Sequence, residues 1–228
     1  MKPAMIICHE NPAMLAGFGY LAESATTLKL IKCPTAEAAL QSLKTSTASL
    51  LICSFSLPTM GALQLIIRAK TLSPKTKILV TGDDDSGFVA EKCIGSGASG
   101  YLTSTVSAAE FATAISTVCK ESIYTESRVA QKLALKNIRG SHHVFDSLSP
   151  REFDIFTKVI ADKTAKEVAK ELFLAEKTVA NYISIIKKKL RTKTSAGLLR
   201  IGIKEGFSPE LYQTPQTLNL ENNVTSAG

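Results

Sequence analysis

The sequence predicts an α/β domain, a doubly wound parallel sheet of five strands, followed by a smaller all-α domain of four helices. In the first 120 residues, short apolar runs alternate with amphipathic helical patterns. The third of these runs, LLICS at 50–54, is almost continuously apolar, as expected for a strand that helices cover on both faces. From residue 148 onward, apolar residues recur only at helical spacing.

Five strand–helix units account for the first domain. The predicted strands are Ala4–His9, Leu28–Cys33, Leu50–Ser54, Lys77–Thr81 and Gly100–Thr103. The predicted helices are Asn11 to Ser24, Ala36–Ser46 capped by Thr35, Ala62–Leu72, one capped by Ser86 and ending near Ser96, and Ser107–Lys120. In such a sheet, functional groups gather at the carboxyl ends of the strands.

The second domain begins after a polar connection. We expect a receiver-like domain over 1–120, a linker over 121–147 with a short helix at Arg128–Asn137, and the helical domain over 148–206. Ser149-Pro150-Arg151-Glu152 is a capping box with proline at the first helical position, which predicts a helix to Ala161. Further helices are predicted at Thr164–Leu172, Glu176–Leu190 and Ser195–Glu205. The adjacent His142 and His143 are expected to be solvated linker residues, and the tail at 207–228 has the composition of a disordered segment.

Positive charge is concentrated in the second domain. The net charge is +7, and residues 147–206 carry 13 basic and 7 acidic side chains, so +6 of it lies there. This distribution is typical of a protein that binds a polyanion, although a solvated lysine-rich face gives the same count.

Composition also excludes several classes of protein. No apolar run is long enough to span a membrane or to serve as a signal peptide, so we expect a cytoplasmic protein. Five scattered cysteines without a CxxC pair predict reduced core thiols, with neither a disulfide framework nor a metal site. No Walker loop, HExxH or GxSxG motif is present, so we expect no enzyme and no cofactor.

The segment at 163–190 predicts two helices joined by a short turn. One helix turns Val168 and Leu172 inward, and the other does the same with Val179 and Ile186. The outer face of the second helix is then free to enter a major groove. That face carries Ala180, Asn181, Ser184 and Lys188. The side chains expected to reach phosphates are Lys177, Lys187, Lys188, Lys189 and Arg191.

The stretch LSPREFDIFTKVIADKTAKEVAKELFLAEKTVANYISIIKKKL resembles the LuxR-type helix-turn-helix of the NarL/FixJ response regulators, and the GacA/UvrY group in particular. The resemblance extends over residues 1 to about 206 and implies double-stranded DNA as the partner. It adds Thr178, Val179 and Tyr182 to the expected contact residues. It also implies a homodimer, with Leu198, Leu199 and Ile201 of the last helix as the dimer contact, although core packing competes for two of the apolar residues of that helix. Serine, the family's usual cap of the recognition helix, is replaced by Ala175.

The same resemblance places a phosphorylation pocket in the first domain and implies that its chemistry is lost. His9 and Glu10 align with the acidic pair, and Ser54 aligns with the acceptor aspartate. Thr81 aligns with the hydroxyl residue, Tyr101 with the switch aromatic and Ser104 with the lysine. Mg²⁺ favours hard oxygen ligands, and only Glu10 remains as a charged one. A serine hydroxyl cannot form an acyl phosphate, so we expect a receiver that is not phosphorylated. Asp83–Asp85 is expected to be a solvated acidic loop rather than a substitute acceptor.

Two functions remain open on the sequence alone. The favoured one is a dimeric transcription regulator controlled by its abundance, by constitutive dimerisation through the receiver, or by another protein docking on the receiver. The second is an interaction decoy that pairs with an intact regulator without reading DNA, a possibility raised by Ala180 and Ser184. In either case Cys8 and Cys53 should end neighbouring strands, where a redox switch competes with simple burial.

Overall fold

The computed structural model describes residues 3–85, 87–120, 122–138, 144–205 and 207. Its sheet has six parallel strands in the order β2-β1-β3-β4-β5-β6. The strands are β1 Ala4–Cys8, β2 Lys29–Cys33, β3 Ala48–Ser54, β4 Lys77–Gly82, β5 Gly100–Thr103 and β6 Tyr124–Thr125. The prediction of a doubly wound parallel sheet is confirmed, but the sheet has six strands and not the five that were predicted. The sixth is only two residues long, which is too short to show a period of two.

Ten α-helices lie in the described part of the chain. Five belong to the sheet domain: α1 Pro12–Ala25, α2 Ala36–Thr45, α3 Ala62–Leu72, α4 Phe88–Gly95 and α5 Ala108–Cys119. The others are α6 Ser127–Ile138, α7 Pro150–Ile160, α8 Ala165–Glu171, α9 Glu176–Lys189 and α10 Ser195–Lys204. Helices α1 and α5 cover one face of the sheet, where Phe18 stacks on Phe111, and α2 to α4 cover the other.

Side-chain caps begin most of these helices where the sequence predicts them. Thr35 caps α2, and Ser149 and Glu152 form the predicted capping box of α7. Helix α4 is different, because its N-cap is Gly87, which adopts a φ of 84° and supplies no side-chain acceptor. The expectation that Ser86 caps this helix is therefore wrong, and Ser86 itself lies outside the described residues.

The connection between the domains is more structured than a linker. It contains β6, which pairs with Gly100 and Tyr101 of β5, and helix α6, which starts one residue earlier than predicted. A 3₁₀ turn at Val144–Ser147 then leads into α7. The predicted polar stretch at 139–143, with His142 and His143, lies outside the described residues.

One apolar core joins the two domains. Phe88 of α4 lies 5.0 Å from Phe145 of the 3₁₀ turn and 5.2 Å from Phe153 of α7, measured between ring centroids. Phe207 packs edge-on against the same rings and is 2% exposed. Phe207 is thus a core residue and not, as predicted, the start of the tail; residues 208–228 lie outside the described part.

The expectation of buried, reduced cysteines is correct for four of the five. Cys8, Cys33, Cys53 and Cys93 are free and buried, whereas Cys119 is free and exposed at the end of α5. No helix among the described residues is long and apolar enough to cross a membrane.

Candidate DNA-binding surface and receiver pocket

Helix α9 presents a continuous exposed face on the second domain. Its packing against α8 and α7 buries Val179 and Ile186, so the opposite side is left to solvent. The exposed residues of the predicted set are Lys177, Thr178, Ala180, Asn181, Ser184 and Lys188, together with Arg191 just after the helix. Lys187 is half-buried at the edge of this face.

Three residues expected at this surface have other positions. Val179 is fully buried in the helix-turn-helix core, so its side chain is not part of the exposed face. Lys189 donates to the Glu152 carboxylate at 2.7 Å and to the Ser147 carbonyl at 2.9 Å, which ties α9 to the start of α7 instead of leaving a free cation. Tyr182 is half-buried and lines a cleft that faces the sheet domain.

A groove beside α9 contains residues that the sequence did not single out. Lys163 and Thr164, before α8, line it together with Ala180, Ser184 and Lys187. Thr164 forms a capping box with Glu167, and that four-residue pattern was the available signal in the sequence. The Lys163 ammonium lies 2.6 Å from Glu171, so it is held in place at the groove wall.

The start of α9 lacks the side-chain cap that α7, α8 and α10 possess. Ala175 has the extended backbone of an N-cap but accepts no hydrogen bond through its side chain. The loss expected from the sequence is therefore present in the structure.

Helix α10 has one buried and one exposed side. Leu198 is fully buried on the side of α10 that packs against α7, so within one chain it belongs to the core. Leu199 and Ile201 are half-buried, and Ile203 is 56% exposed. An apolar strip that is only partly covered thus runs along the helix.

The predicted receiver-pocket residues lie along the carboxyl edge of the sheet. Ser54 at the end of β3 pairs in register with Thr81 of β4, and both are buried. His9 and Glu10 follow β1 on one side, and Ser104 follows β5 on the other. The sheet order thus places at one edge the residues that the sequence predicted to form one site.

The charged groups that remain in this pocket are few. The backbone N–H of Asn11 donates to His9 Nδ1 at 3.0 Å, which requires an unprotonated nitrogen there. Burial lowers the pKa of His9, consistent with a neutral ring. Glu10 Oε2 lies 3.4 Å from His9 Nδ1, and among the described residues it has no hydrogen-bond partner.

The far side of the pocket is closed by hydroxyl groups. The Ser104 hydroxyl donates to the Asp83 carboxylate. The Tyr101 ring is buried, and its hydroxyl donates to the Asp84 carbonyl at 2.8 Å. Among the described residues, no group of three His, Cys, Asp or Glu side chains is placed to hold a metal ion. Of the residues that the resemblance aligns with the acidic pair and the acceptor, only Glu10 carries a carboxylate, the kind of ligand that Mg²⁺ favours.

The thiols at this edge are shielded. Cys8 pairs in register with both Cys33 and Cys53, as predicted for Cys8 and Cys53. Burial raises the pKa of all three, to about 12 for Cys53, so none is a thiolate near neutral pH. This favours simple burial over a redox role.

Comparison with known families identifies both parts of the chain. Residues 5–116 match the family described as the response regulator receiver domain. Residues 146–201 match the bacterial regulatory proteins of the luxR family. The two matches together leave out only the connection, the first four residues and the carboxyl-terminal segment.

Full-length relatives have the same arrangement. The transcriptional activator protein ExaE of Pseudomonas putida is 24% identical over 89% of this chain and 97% of its own length. The response regulator UvrY of Escherichia coli K12 is also 24% identical, over 89% of this chain and 94% of its own length. Among solved structures, RcsB of Salmonella enterica serovar Typhimurium bound to promoter rprA has a TM-score of 0.64 at 20% identity, covering 88% of this chain and 98% of RcsB. At that identity the likeness shows a shared fold.

Proposed function

The chain belongs to the response regulators that join a receiver domain to a LuxR-type helix-turn-helix, and on that premise we propose that this transcription regulator binds DNA as a dimer without being phosphorylated. The observation that carries the proposal is the exposed face of α9, which bears polar and cationic side chains. The opposite side of the helix is fixed by packing in the core of the domain. A helix presented in this way fits the major groove.

The face of α9 divides into two kinds of contact. Asn181 and Ser184 are short polar side chains on its exposed side, and an asparagine amide can pair with both the N6 and N7 positions of adenine. Lys177, Lys187, Lys188 and Arg191 lie toward its two ends and would contact phosphates. The base contacts would choose the sequence, and the phosphate contacts would supply salt-dependent affinity.

Control without phosphorylation is supported by the receiver pocket. Phosphoryl transfer to a receiver needs a carboxylate acceptor and a divalent cation to neutralise the transferred group. The acceptor position holds Ser54, and a neutral His9 takes one of the two acidic positions. The position aligned with the lysine holds Ser104, whose hydroxyl donates to Asp83 and carries no charge to pair with a phosphoryl oxygen.

Dimerisation is supported by α10. Ile203 is exposed and Leu199 and Ile201 are only half covered, so pairing two α10 helices would bury an apolar strip. A two-fold dimer of this kind would read two half-sites in the DNA. RcsB dimers bound to DNA are among the related solved structures.

The second candidate, a decoy that pairs with an intact regulator, is favoured by one observation. The exposed positions Ala180 and Ser184 carry short side chains, and an alanine offers a base edge no hydrogen bond. A decoy would retain dimer formation and bind DNA only through phosphates.

Direct binding tests the proposal. Untreated, purified protein should bind its own genomic fragments more tightly than an equal excess of random duplex, and acetyl phosphate should leave the affinity unchanged. The Lys187→Ala/Lys188→Ala variant should bind more weakly, with a slope of log K against log salt that is smaller by about 1.8, since each phosphate contact contributes about 0.9.

The matched control is Lys29→Ala/Lys75→Ala, which removes the same charge from exposed sites on the receiver and should leave that slope unchanged. Equal affinity for genomic and random duplex would favour the decoy. An absence of any binding at low salt would contradict the proposed function.

A further inference from the structure

A buried carboxyl group lies at the interface between the two domains. Asp154 stands on α7, is 3% exposed, and has one oxygen, Oδ2, without a hydrogen-bond partner among the described residues. The group is pressed against the loop that precedes α3: a Cβ on Gly61 would lie 2.5 Å from Oδ2. Buried carboxyl groups with an unsatisfied oxygen are rare because burial removes the water that would solvate the charge.

Helix α3 has no cap of its own. Its N-cap is Gly61, with a φ of 80° and no side chain to accept from the first backbone N–H groups. The backbone N–H groups of Leu63 and Gln64 act on the Asp154 carboxyl group instead and lower its pKa. A residue of the DNA-binding domain thus occupies the cap position of a receiver helix.

Neighbouring contacts hold the carboxyl group in that place. Arg151, one turn earlier on α7, donates from Nη1 to the carbonyl of Met60 at 3.0 Å. Phe153 packs beside Phe55 at 6.5 Å and beside Phe88 at 5.2 Å, so apolar contacts secure the same helix against the receiver. Docking α7 therefore carries Asp154 into a dry interface together with its neighbours.

The charges around Asp154 come from its own helix. Arg151 and Lys158 on α7 favour the carboxylate, as do the N–H groups at the start of α3, and Cys93 on α4 is a buried thiol that stays protonated. Lys158 already binds Glu171 at 2.9 Å. Burial outweighs these effects and raises the pKa of Asp154 from 3.8 to about 7.

We propose that Asp154 is a proton-dependent latch between the domains: the protonated group is held at the start of α3, and loss of the proton weakens the docking of α7 on the receiver. In an undocked arrangement water would solvate the carboxylate, whereas in the docked one it is left with an unsatisfied oxygen. The proton stays on Asp154 and passes to solvent when the domains separate.

The direction of the effect follows from linkage. The docked arrangement raises the pKa, so it binds the proton more tightly, and the contribution of Asp154 to docking is full below pH 3.8 and is lost as the pH rises through about 7. Between pH 6 and pH 8 the docking constant should fall about tenfold. Above pH 8 little further change is expected.

Release would also change the surroundings of α9. In the docked arrangement Glu37 and Thr59 of the receiver share a cleft with Phe173 and Tyr182, beside the start of the recognition helix. A carboxylate in that place opposes DNA phosphates. Undocking removes it.

Hydrogen exchange on the full-length protein tests the latch without any DNA. The protection factors of the Leu63 and Gln64 amides, corrected for the intrinsic pH dependence of exchange, report how often α7 leaves α3. We expect them to fall about tenfold from pH 6 to pH 8 in the wild type and to stay constant in Asp154→Asn, which carries no titrating group there. An amide in the middle of α5, at Ile115, should keep the same protection at both pH values.

Asp146→Asn is the matched control, because it removes an exposed carboxylate that pairs with Lys92 across the same interface at 3.6 Å. It should retain the wild-type response. Equal protection at both pH values in the wild type, or a tenfold fall that persists in Asp154→Asn, would overturn the latch. If Asp154→Asn does not fold, a pH titration of the carboxyl ¹³C chemical shift of Asp154 in the wild type decides. A titration midpoint near pH 7 supports the proposal, and a midpoint near pH 4 overturns it.

Discussion

At the scale of single residues, the start of α9 offers the simplest test of the local physics. Ala175 has an extended backbone with a ψ of 140°, which is the geometry of a capping residue, but its methyl group accepts no hydrogen bond. Ala175→Ser should therefore raise the free energy of unfolding by about 1 kcal/mol, because the hydroxyl can accept from a free N–H group of the first turn. Urea unfolding followed by circular dichroism measures the change.

Ser149→Ala is the matched counterpart, since Ser149 accepts from the N–H of Glu152 in a complete capping box. It should lower the free energy of unfolding by about 1 kcal/mol. If Ala175→Ser has no effect while Ser149→Ala has the expected one, the first turn of α9 is satisfied in some other way.

The burial of a residue was predictable where its side chain had one role and was harder to assign where it had two. Asn181 and Ser184 lie on the exposed face that helical spacing assigned to them. Val179 and Leu198 were placed in contact sets by family resemblance, although each also sits on an apolar stripe, and in both cases the core position prevails. Asp154 was missed because the partner that makes it unusual, the start of α3, is about 90 residues away in the sequence.

At the scale of elements, helices α7 and α8 are joined by a three-membered ionic cluster. Glu171 at the end of α8 binds Lys158 at 2.9 Å and Lys163 at 2.6 Å, and these contacts outweigh its partial burial and hold its pKa below the ordinary value. A lowered pKa means that the cluster stabilises the fold above pH 4.5 and loses its effect as the pH falls below that value.

Glu171→Gln should therefore lower the free energy of unfolding at pH 7 by about 1 kcal/mol, a figure that allows for the 26% exposure of the side chain. The deficit should shrink as the pH is lowered from 5 to 3. Glu176→Gln, for which no ion pair is seen among the described residues, is the control and should change stability little at either pH. A deficit that is constant with pH would mean that the loss is one of packing and not of charge.

Elements with a clear period were predicted well, and short ones were not. The five longer strands and the helices of both domains lie within a few residues of their predicted bounds, because each repeats its apolar pattern several times. Strand β6 and the 3₁₀ turn at Val144–Ser147 are two and four residues long, so they offer no period to detect. Their positions depend on partners, such as Gly100 for Tyr124 of β6.

At the scale of the whole molecule, the two domains share a core that the sequence did not indicate. The predicted organisation has two units and a linker, and the division into families at 5–116 and 146–201 fits it. Yet Phe88, Phe145 and Phe207 come from the receiver, the connection and the carboxyl-terminal end, and they meet in one cluster. A sequence pattern does not show which distant element will pack against a given aromatic residue.

This shared core should make the chain unfold as one unit when the domains are docked. At pH 6 we expect a single calorimetric transition for the wild type, and two for Phe145→Ala, because the Phe145 ring lies 5.0 Å from Phe88 and 4.6 Å from Phe156 and so joins both domains. Phe111→Ala is the matched control: it removes a ring of the same size from a cluster within the receiver, stacked on Phe18 at 5.2 Å. Either change should destabilise by about 3–5 kcal/mol, but only loss of the interdomain ring should separate the transitions. One transition in Phe145→Ala, or two in Phe111→Ala, would show that docking does not depend on the aromatic cluster.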